Sequence, residues 1–160
     1  MVTPIAYTAS VVVVDVANVM GARAYGWWRD PAGAALRLCR EVMALSQRED
    51  SPAGAWVLVL EGRARDAAAW LAEDARPAED ARPGADWVPP ADEALPVRVV
   101  SAPASGDDAI VGVVAEAVAA EEDSCLVVTA DRELRQRCEE LNASVVGPGW
   151  LLRLLPPGNI

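Results

Sequence analysis

Acidic residues follow several of the short apolar runs in this 160-residue sequence, each close to the point where the run ends. Carboxylate oxygens without histidine or cysteine partners suit Mg²⁺ or Mn²⁺. One or two such ions can activate water and stabilise the departing oxygen in phosphodiester hydrolysis. Negative charges repel one another unless cations lie between them, so a cluster of these residues predicts a metal site. The residues are Asp15, Glu61, Asp107, Asp108, Asp131 and Glu133.

Each of these acidic residues also has a simpler structural explanation. Asp108 lies three residues after Ser105 and would complete a helix capping box. Asp131 would cap a helix, and Asp15 would hold a turn through its own side chain. Carboxylates at four matching strand ends are harder to explain in this way, so together they favour a functional site. The two glutamates are the weakest members, because glutamates are commonplace on protein surfaces.

The sequence contains neither histidine nor lysine, and its three cysteines form no closely spaced pair. These absences exclude Cys/His zinc sites, histidine-based triads, the P-loop lysine and Schiff-base catalysis. The cysteines are expected to be small buried residues in a reducing compartment. No secretory or membrane-spanning segment is recognisable, because the apolar N-terminal stretch lacks a basic region and Asp15 interrupts it. We therefore expect a soluble cytoplasmic protein with no membrane partner.

The formal net charge of −10 bears on the choice of partners. Such a charge repels polyanions at long range, so non-specific coating of nucleic acid is not expected. Mg²⁺ or Mn²⁺ bound among the carboxylates would reverse the local field at the site. A nuclease therefore stays compatible with the overall charge.

The elements that would position the acidic residues alternate between short apolar runs and helical stretches. The runs are apolar throughout, which is typical of parallel strands buried on both faces. The predicted strands are 10–14, 56–60, 97–100, 125–129 and 144–146. The predicted helices begin at Asp30-Pro31, near residue 65, at Ser105, at Asp131 and near Trp150.

This alternation predicts one α/β domain over residues 1–160. The expected architecture is a three-layer α/β/α sandwich around a mainly parallel sheet of four to five strands. Its functional site would lie beyond the carboxyl ends of the strands, where the acidic residues occur. The stretch at about 74–95 is rich in proline, arginine and acidic residues and contains EDARP twice, so we expect a solvated insertion there.

Two segments at the first strand ends resemble motifs of the PIN-like and NYN nuclease domains. Residues 11–19 (VVVVDVANV) look like the opening strand of those domains, whose Asp-x-x-Asn matches Asp15 and Asn18. Residues 59–62 (VLEG) are similar to the second strand exit in the flap-endonuclease branch, where an acidic residue precedes glycine. Glu61 stands here in place of an aspartate.

Two further segments extend the resemblance along the chain. Gly106-Asp107-Asp108 resembles the third acidic element of the family, and residues 128–134 (VTADREL) resemble its Thr/Ser-x-Asp-x-Asp/Glu-Leu element. The resemblance covers about residues 10–155 and depends on the order of the motifs and their placement at strand ends. It implies a PIN-like, Rossmann-like fold.

The resemblance also implies roles for individual residues around a bound Mg²⁺ or Mn²⁺. The core metal ligands, which would also be the catalytic residues, are Asp15, Asp108 and Asp131. The auxiliary acidic residues are Asp107, Glu61 and Glu133. Asn18 would orient a ligand or a water molecule, and Thr129 would support the ligands from behind.

Residues 26–29 (GWWR) lie after the first strand, on the side of the expected site. Trp27 and Trp28 would stack on bases, with Arg29 or Arg132 on phosphate. The alternative is that the tryptophans pack beneath the loop or against a second subunit of a homodimer, which is the commoner role of large aromatic residues. The predicted substrate-side residues are Asn18, Thr129, Arg132, Ser105, Trp28 and Arg29.

The leading functional hypothesis is a metal-dependent nuclease, an endonuclease acting on single-stranded RNA. The same metal site would serve hydrolysis of nucleotide phosphoanhydrides, and similar small bacterial PIN-like proteins are often labelled NTP pyrophosphohydrolase. A third hypothesis is a binding or regulatory module with a degenerate acidic pocket. A receiver-type phosphoacceptor would need a lysine, and a dinucleotide-binding domain would need a glycine-rich turn after the first strand.

Overall fold

Five short apolar segments pair side by side into one parallel sheet in the computed structural model. The structure describes residues 9–23, 26–75, 97–120 and 124–156. The strands are β1 Ala9–Asp15, β2 Ala53–Leu60, β3 Val97–Ser101, β4 Cys125–Val128 and β5 Ser144–Val146. Each pair of neighbouring strands runs parallel. The predicted α/β fold on a parallel sheet is thereby confirmed, with five strands.

The order of the strands reverses beside β1. Across the sheet the order is β3-β2-β1-β4-β5, so the chain builds outward from β1 to β3 and then returns to the other side of β1. Val12 of β1 lies opposite Trp56 on β2 and opposite Leu126 on β4. Open parallel sheets bind ligands beyond the carboxyl ends of their strands at such a reversal. The crevice beyond β1 and β4 is therefore the place to look for a site.

Helices cover both faces of the sheet. They are α1 Val16–Gly21, α2 Pro31–Ser46, α3 Ala67–Ala75, α4 Gly106–Ala119, α5 Arg132–Glu140 and α6 Pro148–Leu152. Two short 3₁₀ helices, Trp27–Arg29 and Gly62–Asp66, precede α2 and α3. None of the helices that the structure describes is long and apolar enough to cross a membrane.

The start of α2 follows its sequence signals closely. The Asp30 carboxylate accepts a hydrogen bond from the Gly33 amide at 3.0 Å, and Pro31 is the first helical residue. This is the predicted cap and N1 proline. The sequence did not predict α1, which is only six residues long and follows β1 directly. Residues 76–95 of the predicted insertion lie outside the described residues.

Alternate residues of β1 face two separate apolar cores. Val12 and Val14 pack into a core shared with α1, α2, α3 and α6. Val11 and Val13 pack into a second core shared with α4 and α5. Successive strand residues point to opposite faces, so a strand buried in both cores must be apolar throughout. The predicted three-layer sandwich is therefore confirmed.

The three cysteines are buried within these two cores, as predicted. Cys39 belongs to the first core, and Cys125 and Cys138 belong to the second. Burial raises the pKa of the Cys39 thiol to about 12 and that of Cys138 to about 11. These two thiols therefore stay protonated at neutral pH and behave as small apolar side chains.

The variant Leu38→Ala tests how α2 packs against the sheet. Its side chain is fully buried, so Leu38→Ala should leave a cavity and lower the free energy of unfolding by about 2–5 kcal/mol. Leu36 lies on the same helix and is only partly buried, so Leu36→Ala is the matched control and should cost clearly less. Urea unfolding followed by circular dichroism measures both losses. Equal losses would contradict the orientation of α2.

Candidate functional site

Asp15, the last residue of β1, is a buried carboxylate at the strand-order reversal, only 7% exposed. One of its oxygens accepts a hydrogen bond from the Asn18 amide at 3.3 Å, which caps α1. The other accepts one from the Thr129 hydroxyl at 3.0 Å. Burial raises the pKa of Asp15 to about 6; the two hydrogen bonds oppose this rise, and the charges of Glu61 and Asp107 add to it. Asp15 therefore titrates close to neutral pH.

Two side chains bind the loop after β4 to the first turn of α1. Thr129 directly follows β4, and its hydroxyl oxygen also accepts a hydrogen bond from the Asp131 amide at 3.1 Å. The side-chain oxygen of Asn18 accepts one from the Ala130 amide at 2.8 Å. Asn18 and Thr129 thus act as positioning residues: they fix Asp15 against the β4–α5 loop.

Asp131 begins α5 as its cap. Its carboxylate accepts a hydrogen bond from the Leu134 amide at 3.0 Å, so the structural explanation given for this residue holds. A carboxylate offers about four lone-pair sites, and one cap bond leaves room for further ligands. The charge of Asp131 also raises the pKa of Asp107. Asp131 is therefore both a cap and a neighbour of the other carboxylates.

Glu61 connects the end of β2 to the start of α4. Its carboxylate accepts a hydrogen bond from the Gly106 amide at 2.7 Å. A Cβ atom at position 106 would lie 2.2 Å from this oxygen, so a side chain there would displace the Glu61 carboxylate. A carboxylate is also favoured at the positive end of a helix. Glu61 is one of the two weakest candidates in the sequence. In the structure its carboxylate is held at the start of α4 by this hydrogen bond.

Asp107 and Asp108, at the start of α4, have different surroundings. The pKa of Asp107 is raised first by burial and then by the charges of Asp131 and Glu61, whereas Arg137 lowers it. Asp108 is an exposed side chain that accepts a hydrogen bond from the Arg137 guanidinium at 3.0 Å. Consecutive residues on a helix point in different directions, so the two carboxylates have different neighbours. Asp107 is thus the residue whose pKa responds to the other carboxylates, and Asp108 is paired with Arg137.

Ser105 and the first turn of α5 supply the remaining residues near the carboxylates. Ser105 caps α4, with its hydroxyl oxygen 3.5 Å from the Asp108 amide nitrogen. Glu133 is exposed, and its charge makes a smaller contribution to the raised pKa of Asp107. Arg132 is exposed on the same turn. These contacts give Ser105 a capping role and leave Glu133 at the edge of the carboxylate group.

The GWWR segment forms the 3₁₀ helix between α1 and α2. Trp27 and Glu61 line the same surface groove, so this helix lies on the side of the site, as expected. Trp27 packs against the first core, which supports the packing alternative for that ring. Trp28 is 62% exposed and does not pack beneath the loop. Arg63 lines the same groove, although no sequence motif indicated this residue.

The carboxylates at this edge form an acidic cluster, defined here as Asp15, Glu61, Asp107 and Asp131. Its donor chemistry fits Mg²⁺ or Mn²⁺, because every donor is a carboxylate oxygen and the group repels itself. Within the described residues, no group of three or more acidic or cysteine side chains is arranged so that it could hold a metal ion. Mg²⁺ usually keeps several waters and binds one or two carboxylates, so a preformed cage is not required.

Comparison with known proteins adds no family. No family model and no curated protein matches this chain. The resemblance to PIN-like domains therefore rests on the motifs themselves and on their positions at the ends of β1, β2 and β4 and at the start of α4.

The raised pKa of Asp15 predicts how stability depends on pH. Its native-state pKa of about 6 lies above the ordinary value of 3.8, so the native state binds this proton more tightly than the unfolded state. Stability from this residue is therefore complete below pH 4 and falls as the pH rises to about 6, by a loss on the order of 3 kcal/mol. Asp15→Asn removes the titration.

The measurement is urea unfolding of wild type and Asp15→Asn from pH 4 to pH 8 with a chelator present. The stability of the variant relative to wild type should rise up to about pH 6 and then level off. The comparison cancels other titrating groups and the constant cost of the altered hydrogen bonds. A difference that does not change with pH would contradict the burial of an ionisable Asp15.

Asp107 and Asp108 provide a matched test of cation binding. A cation that binds only the native state raises the melting temperature, by about 2–4 °C for each kcal/mol in a domain of this size. Millimolar Mg²⁺ should therefore raise the melting temperature of wild type by several degrees. Asp107→Asn should reduce this rise, whereas Asp108→Asn, with the same change of charge one residue away, should retain it. Equal responses in both variants would contradict the described orientation.

Proposed function

We propose that this protein is a divalent-metal-dependent phosphodiesterase of the PIN-like/NYN type that cleaves single-stranded RNA as an endonuclease. The observation that carries the proposal is the acidic cluster: carboxylates from four separate strand–helix junctions lie at one edge of the sheet. The pKa values of two members, Asp15 and Asp107, are raised in part by the charges of the others. Uncompensated carboxylates gathered at a strand-order reversal are typical of functional sites.

Mg²⁺ or Mn²⁺ would be held among Asp15, Asp107 and Asp131, directly by one or two of these carboxylates and through bound waters by the rest, with Glu61 beside them. When bound, such an ion activates water and stabilises the departing oxygen of a phosphodiester. The protein's own contribution is to hold these carboxylates in place. Thr129 fixes the direction of the Asp15 carboxylate through its hydroxyl, and Asn18 fixes the loop that carries Asp131.

Protonation of Asp15 links cation binding to pH. Burial keeps part of the Asp15 population protonated near pH 6, and a metal ligand must be deprotonated. Cation binding would therefore release a proton from Asp15 and weaken as the pH falls through 6. Activity that depends on the cation would fall in the same range.

Exposed arginines near the cluster support a polyanionic substrate. Arg29 and Arg63 lie on the two 3₁₀ helices, and Arg132 lies on the first turn of α5. Guanidinium groups bind phosphate oxygens in a planar, two-point geometry. We also propose that the protein acts in the cytoplasm, where its three buried thiols would remain reduced.

Asp131→Asn is the sharpest test of catalysis. Asparagine caps helices as well as aspartate does, so this variant should keep α5 and lose only the carboxylate charge. RNA cleavage with Mn²⁺ should fall at least about 100-fold, while the circular dichroism spectrum is unchanged. Asp30→Asn is the matched control, because Asp30 caps α2 through the same kind of bond. It should cleave RNA at the wild-type rate.

The substrates used decide between the candidate activities. The assay compares labelled single-stranded RNA with a nucleoside triphosphate, each with and without EDTA. Wild type that releases pyrophosphate from the triphosphate and leaves RNA and DNA intact would overturn the nuclease proposal in favour of phosphoanhydride hydrolysis. Inactivity on all of these substrates with every divalent metal would instead favour a degenerate binding module.

A further inference from the structure

A surface groove lies directly beside the acidic cluster. Its volume is about 460 Å³, within the range of small-molecule sites. Met20, Trp27 and Pro31 contribute apolar surface to it, and Arg63 contributes a guanidinium group. Glu61 lines the groove and also belongs to the cluster, so the two are continuous.

Two glycines set the backbone on either side of this groove. Gly26 has φ +32° and precedes the 3₁₀ helix Trp27–Arg29. Gly62 has φ +56° and begins the 3₁₀ helix Gly62–Asp66. Side chains strongly disfavour this left-handed region, so glycine permits both turns. Each turn places an aromatic or basic side chain immediately after the glycine.

The two tryptophans after Gly26 form an aromatic corner. The rings of Trp27 and Trp28 are 6.3 Å apart between centroids and 85° apart between planes, an edge-to-face pair. Trp27 is anchored against the first core, whereas Trp28 is 62% exposed. The exposed Trp28 ring, beside the anchored Trp27 ring, offers a flat face on which a planar ligand can stack.

Arg63 lines the groove, and Arg29 and Arg65 lie on the same two 3₁₀ helices as Trp27 and Arg63. These three arginines differ in their contacts. Arg65 donates hydrogen bonds to the carbonyls of Gly62 at 3.0 Å and Ala102 at 3.3 Å, so it supports the turn. Arg63 and Arg29 are exposed and make no hydrogen bond or ion pair within the described residues. Their guanidinium groups are therefore available to an anion outside the protein.

We infer that this groove, lined by Trp27 and Arg63, forms a nucleobase subsite together with Trp28 and Arg29, which follow Trp27 in the same 3₁₀ helix and lie outside the groove lining. One base of a single-stranded nucleic acid stacks on the Trp27–Trp28 corner while Arg63 and Arg29 hold an adjacent phosphate. The inference rests on the proposed function and extends it to how the strand is bound. Stacking suits every base because each presents a flat aromatic face, and so this subsite selects single strands rather than a sequence. Glu61 lines the groove and belongs to the cluster, so a strand with one base in the groove lies beside the carboxylates.

The first experiment locates the base by NMR. A nucleoside 5′-monophosphate cannot be cleaved as a phosphodiester, so it is titrated with Mg²⁺ while the indole N–H signals are recorded. The signals of Trp27 and Trp28 should shift, and those of Trp56, Trp70 and Trp150 should not. Ribose 5-phosphate, which lacks the base, should leave the tryptophan signals unchanged. Equal shifts with ribose 5-phosphate, or no shifts with the nucleotide, would overturn the subsite.

The second experiment compares variants of the groove with a matched control. Trp28→Ala and Arg63→Gln should each weaken nucleotide binding at least about fivefold. In RNA cleavage they should raise KM and leave kcat near wild type, because neither residue belongs to the cluster. Among the described residues Trp70 is the other exposed tryptophan, at 44%, and it lies on α3, outside both the groove lining and the 3₁₀ helix that carries Trp27 and Trp28. Trp70→Ala should therefore change neither quantity.

The outcomes separate this inference from the proposed function. Cleavage that requires Asp131 but is insensitive to Trp28→Ala and Arg63→Gln would overturn the base subsite alone. Nucleotide binding at Trp27 and Trp28 by a wild type that cleaves no RNA would overturn the nuclease proposal and leave the subsite in place. Melting temperatures of Trp28→Ala and Arg63→Gln equal to wild type show that a loss of binding is not a loss of folding.

Discussion

The hydrogen bond from the Thr129 hydroxyl to the Asp15 carboxylate is the contact on which the rest of this site depends. It joins the end of β1 to the residue after β4, across the reversal of strand order. The same Asp15 side chain starts α1, and the same Thr129 oxygen receives the Asp131 amide at the start of α5. Two helices and two strands are therefore oriented by one pair of side chains. The carboxylates can gather at this edge because their backbone supports are bound to one another.

Burying Asp15 close to other carboxylates costs free energy, and the hydrogen bonds of the fold do not offset this cost. Asp15 is almost wholly buried, and burial disfavours its ionised form more strongly than its two hydrogen bonds favour it. Glu61 and Asp107 add repulsion, and Arg137 relieves Asp107 only in part. A purely structural cap would be better served by an exposed carboxylate such as Asp30 at α2. A cation bound among these carboxylates, as the proposed function requires, would offset this cost.

The fold was predictable from the sequence because its strands are apolar throughout and their helices carry local caps, as at Asp30 and Asp131. Helix α1 escaped prediction because a six-residue helix has too few turns to show a period. The choice between Asp107 and Asp108 depends on the rotation of α4 about its axis, which Glu61 fixes through Gly106 from 45 residues away. Non-local contacts of this kind leave no local signal. The sequence therefore predicted the parallel sheet and the placement of these carboxylates at its strand ends, but not which of them the charges of the others reach.

The net charge of −10 does not decide whether this edge of the sheet would attract or repel the proposed nucleic-acid substrate. Charges are screened over about 8 Å at physiological ionic strength, so an approaching phosphate responds mainly to nearby groups. Those groups are the acidic cluster and, near it, the guanidinium groups of Arg29 and Arg63, which make no hydrogen bond or ion pair in the part of the chain that the structure describes. A cation in the cluster would make the whole edge attract phosphate. Without the cation, the carboxylates repel the phosphate that the arginines attract. Cation binding and nucleic-acid binding would therefore strengthen each other reciprocally, with the acidic cluster as the element that couples them.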